Sequence, residues 1–274
     1  MQGDNLKGTL DNGQSFTTSV PPSAVMRDPS SGNPDKFFMF IGSGPTGTTD
    51  SGVSTAVTST APLRLYAYDL GCITGTVTTG CGTTSATPLR SFDLSNGGTV
   101  AGAKDSFAGD LIASDFDLND RAESVYFGSV RDAGGTSPIE FQGSLWKLKL
   151  SENPDSSTWT TELMYDVNKP ISIRPTLGLN NRRAPEVFFG TGRLFSKDDL
   201  KTTGQQQIVG LIDPELLPGG DAQADFALPL GSGDLLDTTS VEVCGDGSST
   251  SACGGFGAVS GAGWFSQRHV KVPT

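Results

Sequence analysis

The sequence predicts an all-β fold of antiparallel blades, incomplete or modified, with long loops and little helix. Three observations lead there. The 274 residues include 36 Gly and 16 Pro among abundant Thr and Ser, with few runs of Ala, Leu, Lys and Glu. That composition suits short strands joined by long turns. A three-strand pattern recurs three times along the chain. The interiors of these units are similar in length whereas the connections between them are not, as in a β-propeller, where blades pack on their neighbours and insertions emerge as loops.

Each unit reads as a short apolar strand, a polar loop, a strand ending in Phe or Ile followed by Gly and Ser or Thr, another loop, and a further strand. The first runs through Ala24-Val25-Met26, then Phe37-Phe38-Met39-Phe40-Ile41-Gly42-Ser43, then Leu63-Arg64-Leu65-Tyr66-Ala67-Tyr68-Asp69. The second has Leu111-Ile112-Ala113, then Val125-Tyr126-Phe127-Gly128-Ser129, then Leu145-Trp146-Lys147-Leu148-Lys149-Leu150. There Trp146, Leu148 and Leu150 alternate with two lysines, so one face is apolar and the other charged. The third has Pro175-Thr176-Leu177, then Val187-Phe188-Phe189-Gly190-Thr191-Gly192, then Gln207-Ile208-Val209-Gly210-Leu211-Ile212-Asp213. From the glycine to the next strand is 21 residues for Gly42 to Leu63, 17 for Gly128 to Leu145 and 18 for Gly190 to Ile208. These glycines are expected to allow close backbone packing or a bend where the strand leaves the blade.

A full circle of roughly six or seven four-stranded blades needs more strands than these. Either further blades lie outside this chain, or strands around Val241-Glu242-Val243 and Val270-Lys271-Val272 complete a smaller assembly. Residues 196–200 read as a one-turn helix capped by Ser196. The stretch from Gly219 to Asp237 reads as a solvated loop, because its Asp residues fit no ligand spacing. Residues 1–274 are taken as a single domain of a larger secreted protein.

A formal charge of −11 argues against nucleic acid as a partner, since that affinity comes largely from clustered Lys and Arg. The longest apolar runs, such as Phe37 to Ile41, are far too short to span a bilayer. Met1 is followed at once by polar residues, so targeting information is expected elsewhere in a longer protein. The four cysteines form two equally spaced pairs, Cys72 with Cys81 and Cys244 with Cys253. Local disulfides are expected, each worth somewhat under the ~3 kcal/mol of a 15-residue loop, and they imply an oxidising compartment. A four-thiolate zinc site fits poorly, because zinc ligands usually come as closer pairs. With His269 as the one histidine, nucleophile-histidine catalysis has almost no material, and a non-enzymatic protein is expected. A carboxylate pair for glycoside hydrolysis is not readable from sequence.

The most specific chemistry lies between two strands, where Asp115, Asp117, Asn119, Arg121 and Glu123 occupy every second position. A hard cation such as Ca²⁺ takes six to eight oxygens at roughly 2.3–2.6 Å, and a tight loop supplies them from alternate positions. Arg121, at the seventh, would give its backbone carbonyl. The alternative is a polar turn rich in Asp and Asn because these residues tolerate turn conformations. Carboxylates crowded into nine residues repel one another without a cation, which favours the metal. Asp120 stands where such loops usually carry Gly, and Asp can enter the left-handed region at some cost.

Taken together, these residues resemble the C-terminal β-propeller of the PilC/PilY-type proteins of bacterial type IV pili. Phe188-Phe189-Gly190-Thr191-Gly192-Arg193-Leu194-Phe195, through Asp199-Leu200 to Gln207-Ile208-Val209-Gly210-Leu211-Ile212-Asp213, is similar to that family's strand and short acidic helix. Gly143-Ser144-Leu145-Trp146-Lys147-Leu148 and Gly263-Trp264-Phe265 resemble further family motifs, and the 115–123 loop falls where relatives carry a nine-residue calcium loop. The likeness covers roughly residues 20–270 and is strongest in the middle. It implies a secreted protein at the cell surface on the pilus tip, or in the periplasm or outer membrane. It also implies partnership with minor pilins or the tip complex and a host or surface ligand, in support of pilus extension against retraction and of adhesion. Glu123, where most relatives have Asp, bears on calcium affinity. A second reading is an extracellular calcium-binding propeller that recognises carbohydrate or a host protein independently of pili, with Trp159 or Trp264 as stacking surfaces.

Overall fold

Three antiparallel sheets follow one another along the chain, and each contains one of the repeated units. The computed structural model describes residues 20–26, 35–50, 55–77, 81, 87–97, 100–133, 140–179, 183–196, 199–200, 204–217, 226–239 and 263–268. In the first sheet β1 (Ser23–Met26) pairs with β2 (Lys36–Gly42); a separate hairpin of β3 (Gly47–Asp50) and β4 (Thr55–Thr58) then precedes β5 (Arg64–Asp69) and β6 (Arg90–Asp93). The second sheet runs through β7 (Ser106–Ser114), β8 (Ser124–Asp132), β10 (Leu145–Lys149) and β11 (Thr160–Tyr165), with the short β9 (Phe141–Gln142) on the far end of β8. The third comprises β12 (Thr176–Leu179), β13 (Pro185–Gly190), β14 (Gln206–Ile212) and β16 (Gly263–Arg268), and β15 (Leu235–Asp237) lies parallel outside β16.

The fold is therefore all-β and propeller-like, and each predicted triplet is a blade completed by a fourth strand. The fourth strands of blades one and two, β6 and β11, lacked a sequence signal because they are edge strands. Only Phe92 is buried along β6, and β11 becomes fully buried only at Met164 and Tyr165. Residues 241–243 and 270–272 lie outside the described residues.

Two cores alternate with the blades. Phe38, Phe40 and Leu65 of blade one meet Val125, Phe127, Trp146 and Leu148 of blade two. The opposite face of blade two, through Tyr126, Leu145 and Met164, meets Val187, Phe189, Val209 and Leu211 of blade three. Both faces of blade two are thus buried, including the one that carries Lys147. Lys147 is 1 % exposed and sits against Asp213, which is 0 % exposed. The 226–239 stretch is not simply solvated either: Leu230 and Leu235 plug the second core, and the Leu230 amide donates to the Met164 carbonyl at 2.7 Å.

The glycines divide. At Gly128 an added Cβ would lie 2.4 Å from the Ile171 carbonyl, so the connection from β11 to β12 passes too close for any side chain, whereas at Gly190 the nearest atom is 3.9 Å away. Gly143 is tighter still, with the Ser129 carbonyl 1.9 Å from a built Cβ. Gly143→Ala is expected to cost at least the roughly 1–3 kcal/mol of an overpacked core. Urea denaturation would check this, with Gly233→Ala, where nothing lies within 4 Å, as the control.

Helix is minor. α1 (Leu70–Thr74) is capped by Asp69, whose carboxylate accepts from the Gly71 amide at 2.8 Å. It carries Cys72, which is disulfide-bonded to Cys81 with Cα atoms 5.5 Å apart. Cys244 and Cys253 lie outside the described residues. The Ser196 cap is corrected: the Ser196 hydroxyl makes no hydrogen bond, and the Asp199 carboxylate instead accepts from the Phe195 and Ser196 amides at 2.7 and 2.8 Å. Asp199 also pairs with Arg193 at 2.8 Å. Arg193 in turn donates to the Val57 carbonyl and stacks 3.4 Å over Phe141, so one buried guanidinium ties the β3–β4 hairpin and blade two to blade three.

Candidate metal centre

The 115–123 loop fills the β7–β8 connection, closed at its base where the Ser114 hydroxyl donates to Glu123 Oε2 at 3.0 Å and the Glu123 amide donates to the Ser114 carbonyl at 3.1 Å. The turn itself needs two left-handed residues, Leu118 at φ +58° and Asp120 at φ +63°. Asp120 therefore adopts the conformation that glycine would take most cheaply.

Asp115, Asp117 and Glu123 converge, each offering an oxygen within 4.8 Å of the others. Oxygens on opposite sides of one Ca²⁺ lie roughly 4.6–5.2 Å apart, twice the bond length, so the spread suits one ion. Asp115 accepts from the Asn119 and Asp120 amides, both at 3.1 Å, and Asp117 accepts from the Asn119 side-chain amide at 2.9 Å. Glu123 is buried and accepts from the Phe116 amide at 2.8 Å. Burial pushes its carboxyl above the usual range despite that hydrogen bond, so a nearby positive charge would favour its ionised form.

Asn119 Oδ1 is buried and has no hydrogen-bond partner, an acceptor on the same loop. An all-oxygen set with one orphaned acceptor is chemistry that a hard cation satisfies. Arg121 is half-buried, and its backbone forms an isolated bridge to Met26 of β1, which anchors this limb of the loop on blade one. Thus three of the five expected residues offer carboxylates to one point, Asn119 is bonded to two of them, and Arg121 joins through its backbone.

Glu152 also belongs here. Its Oε2 accepts from Asn119 Nδ2 at 2.9 Å, and the Leu150 and Ser151 amides donate to the Glu123 carbonyl at 2.8 and 3.1 Å. Nothing in the linear spacing marks Glu152. It arrives because Lys149 pairs with Ser124, so the turn after β10, with Ser151 and Glu152 both at φ +53°, lies beside the loop. Of the aromatic residues considered for sugar stacking, Trp159 is buried, packed edge-on against Phe38 at 5.0 Å. His269 lies outside the described residues. No described helix is long and apolar enough to cross a membrane.

Fold and loop together define an all-β, propeller-like protein with an acidic loop able to hold a metal ion on one blade hairpin. The chain matches no family model, and no curated protein matches it. Among solved structures it is similar to the crystal structure of the Pseudomonas aeruginosa PilY1 C-terminal domain, with a TM-score of 0.56 and 15% identity over 95% of this chain. It spans 52% of that structure, about half its length. At this identity the likeness is one of fold.

Proposed function

We propose that this chain is a calcium-binding module of a type IV pilus-associated protein, a tip adhesin or biogenesis factor that supports pilus extension against retraction and surface adhesion. The observation that carries the reading is the convergence of Asp115, Asp117 and Glu123 beside the orphaned Asn119 Oδ1, on a fold shared with the PilY1 C-terminal domain. In this reading Asp115, Asp117, Asn119 and Glu123 give side-chain oxygens and Arg121 its carbonyl. The ion neutralises the crowded carboxylates and stiffens the hairpin against β1, and the role is mechanical rather than enzymatic. The module works outside the cytoplasm, with minor pilins or the tip complex as partners, and the Cys72–Cys81 disulfide accords with that setting.

Calorimetric titration of the purified chain with CaCl₂ tests the ion. A saturable heat is expected, and Asp115→Ala should abolish it. Absence of heat in the unsubstituted chain rejects the calcium assignment. The pilus assignment is tested in the source cell, where deleting the gene should leave few surface pili; normal piliation and motility would reject it.

A further inference from the structure

We propose that Lys147 and Asp213 become joined by an isopeptide bond, formed within the folded chain by loss of water, which stitches blade two covalently to blade three. This stands independently of the cation loop. Lys147 lies in the middle of β10 and Asp213 directly follows β14, and their side chains are 1 % and 0 % exposed. The lysine nitrogen is 3.2 Å from both Asp213 oxygens. Equidistance places the nitrogen on the plane that bisects the carboxyl group and contains its carbon, so the amine is held against the group that would acylate it.

A buried ammonium and carboxylate each forfeit hydration that their mutual attraction only partly returns. The ion pair already holds the atoms of an amide and one water, so condensation removes both charges with no co-reactant. The proton path is present. Glu162 Oε2 is buried 3.6 Å from Lys147 Nζ and has no hydrogen-bond partner. Glu162 is the group placed to accept a proton from the ammonium, and burial raises its carboxyl above the usual range. The freed amine attacks the Asp213 carbon. The Tyr126 hydroxyl donates to Oδ2 at 2.7 Å and the Glu215 amide donates to Oδ1 at 3.1 Å, so both oxygens are held as negative charge develops. The C–N bond forms and one C–O bond breaks. Of the three ammonium hydrogens one stays on the amide nitrogen, and two leave with the departing oxygen as water, one of them relayed by Glu162.

Glu215, the carboxyl nearest the Lys147 nitrogen, is the competitor that the branched peptide tells apart from Asp213. Glu215 bonds both Lys147 and Lys149. Although burial pulls its carboxyl up, those bonds hold it down at about 2, so it stays ionised and is a poor proton carrier. Lys149 is 38 % exposed and keeps its ion pair with Glu215 in contact with water. The other buried pair among the described residues, Arg193 with Asp199, offers a guanidinium, which does not acylate under these conditions.

Intact mass spectrometry of the purified chain, unreduced and reduced so that disulfides are counted, is expected to give one water less than the sequence mass. Proteolysis should yield a branched peptide joining Lys147 to Asp213. Lys147→Arg and Asp213→Ala should restore the full mass, and Glu162→Gln should restore it while keeping a cooperative thermal transition. Full mass in the unsubstituted chain overturns the proposal, as does a mass deficit whose branched peptide joins other residues. An undiminished cross-link in Glu162→Gln removes Glu162 as the proton carrier. Should Lys147→Arg fail to fold, the branched peptide from the unsubstituted chain decides alone.

Discussion

Lys147→Met is expected to destabilise the chain by about 3–5 kcal/mol, the cost of leaving one member of a buried ion pair without its partner. Asp213 would keep a charge at 0 % exposure with only the Tyr126 hydroxyl and the Glu215 amide to stabilise it. A cross-link at this pair would be lost in the same variant, which adds to the effect. Denaturation in urea checks the magnitude. The combined variant Lys147→Met/Asp213→Leu/Tyr126→Phe removes the charges and the hydroxyl that would be stranded, and should recover much of the loss. A cost for Lys147→Met below about 1 kcal/mol, the ceiling for most exposed pairs, would show that Asp213 is not stranded and that the cluster is effectively wet.

Trp159→Ala should cost about 3–5 kcal/mol, the range for truncating a fully buried aromatic. Trp159 precedes β11 of blade two, yet its ring meets Phe38 at 5.0 Å and Phe40 at 5.8 Å on blade one. Its indole N–H donates to the Asn153 carbonyl at 2.7 Å, so truncation also strands that acceptor. Trp159→Phe keeps part of the ring contact and should lose less. Equilibrium unfolding of the two variants gives the comparison, and a loss under about 1 kcal/mol for Trp159→Ala would mean that blades one and two hold together without it.

Much of the candidate site was legible along the chain. Alternate oxygen donors from Asp115 to Glu123 are a local signal, because a nine-residue loop folds back on itself whatever surrounds it, and three of its carboxylates do meet. Asp120 in the left-handed region was likewise foreseeable from the turn chemistry. Glu152 was not, since its position depends on Lys149 of β10 pairing with Ser124 of β8, a contact between residues distant in the chain. The same holds for the Ser196 cap, where the nearest hydroxyl was the obvious acceptor but Asp199, drawn in by Arg193, took the amides instead.

The strand triplets, the glycine positions and the acidic loop were settled by the sequence alone, because alternation, turn residues and ligand spacing act over a few neighbouring positions. Which faces of those strands meet water was decided only by the tertiary structure. In Trp146-Lys147-Leu148-Lys149-Leu150 the pattern separates two faces, but burial of the second depends on blade three arriving over it. That contact makes Lys147 the buried partner of a residue 66 positions away.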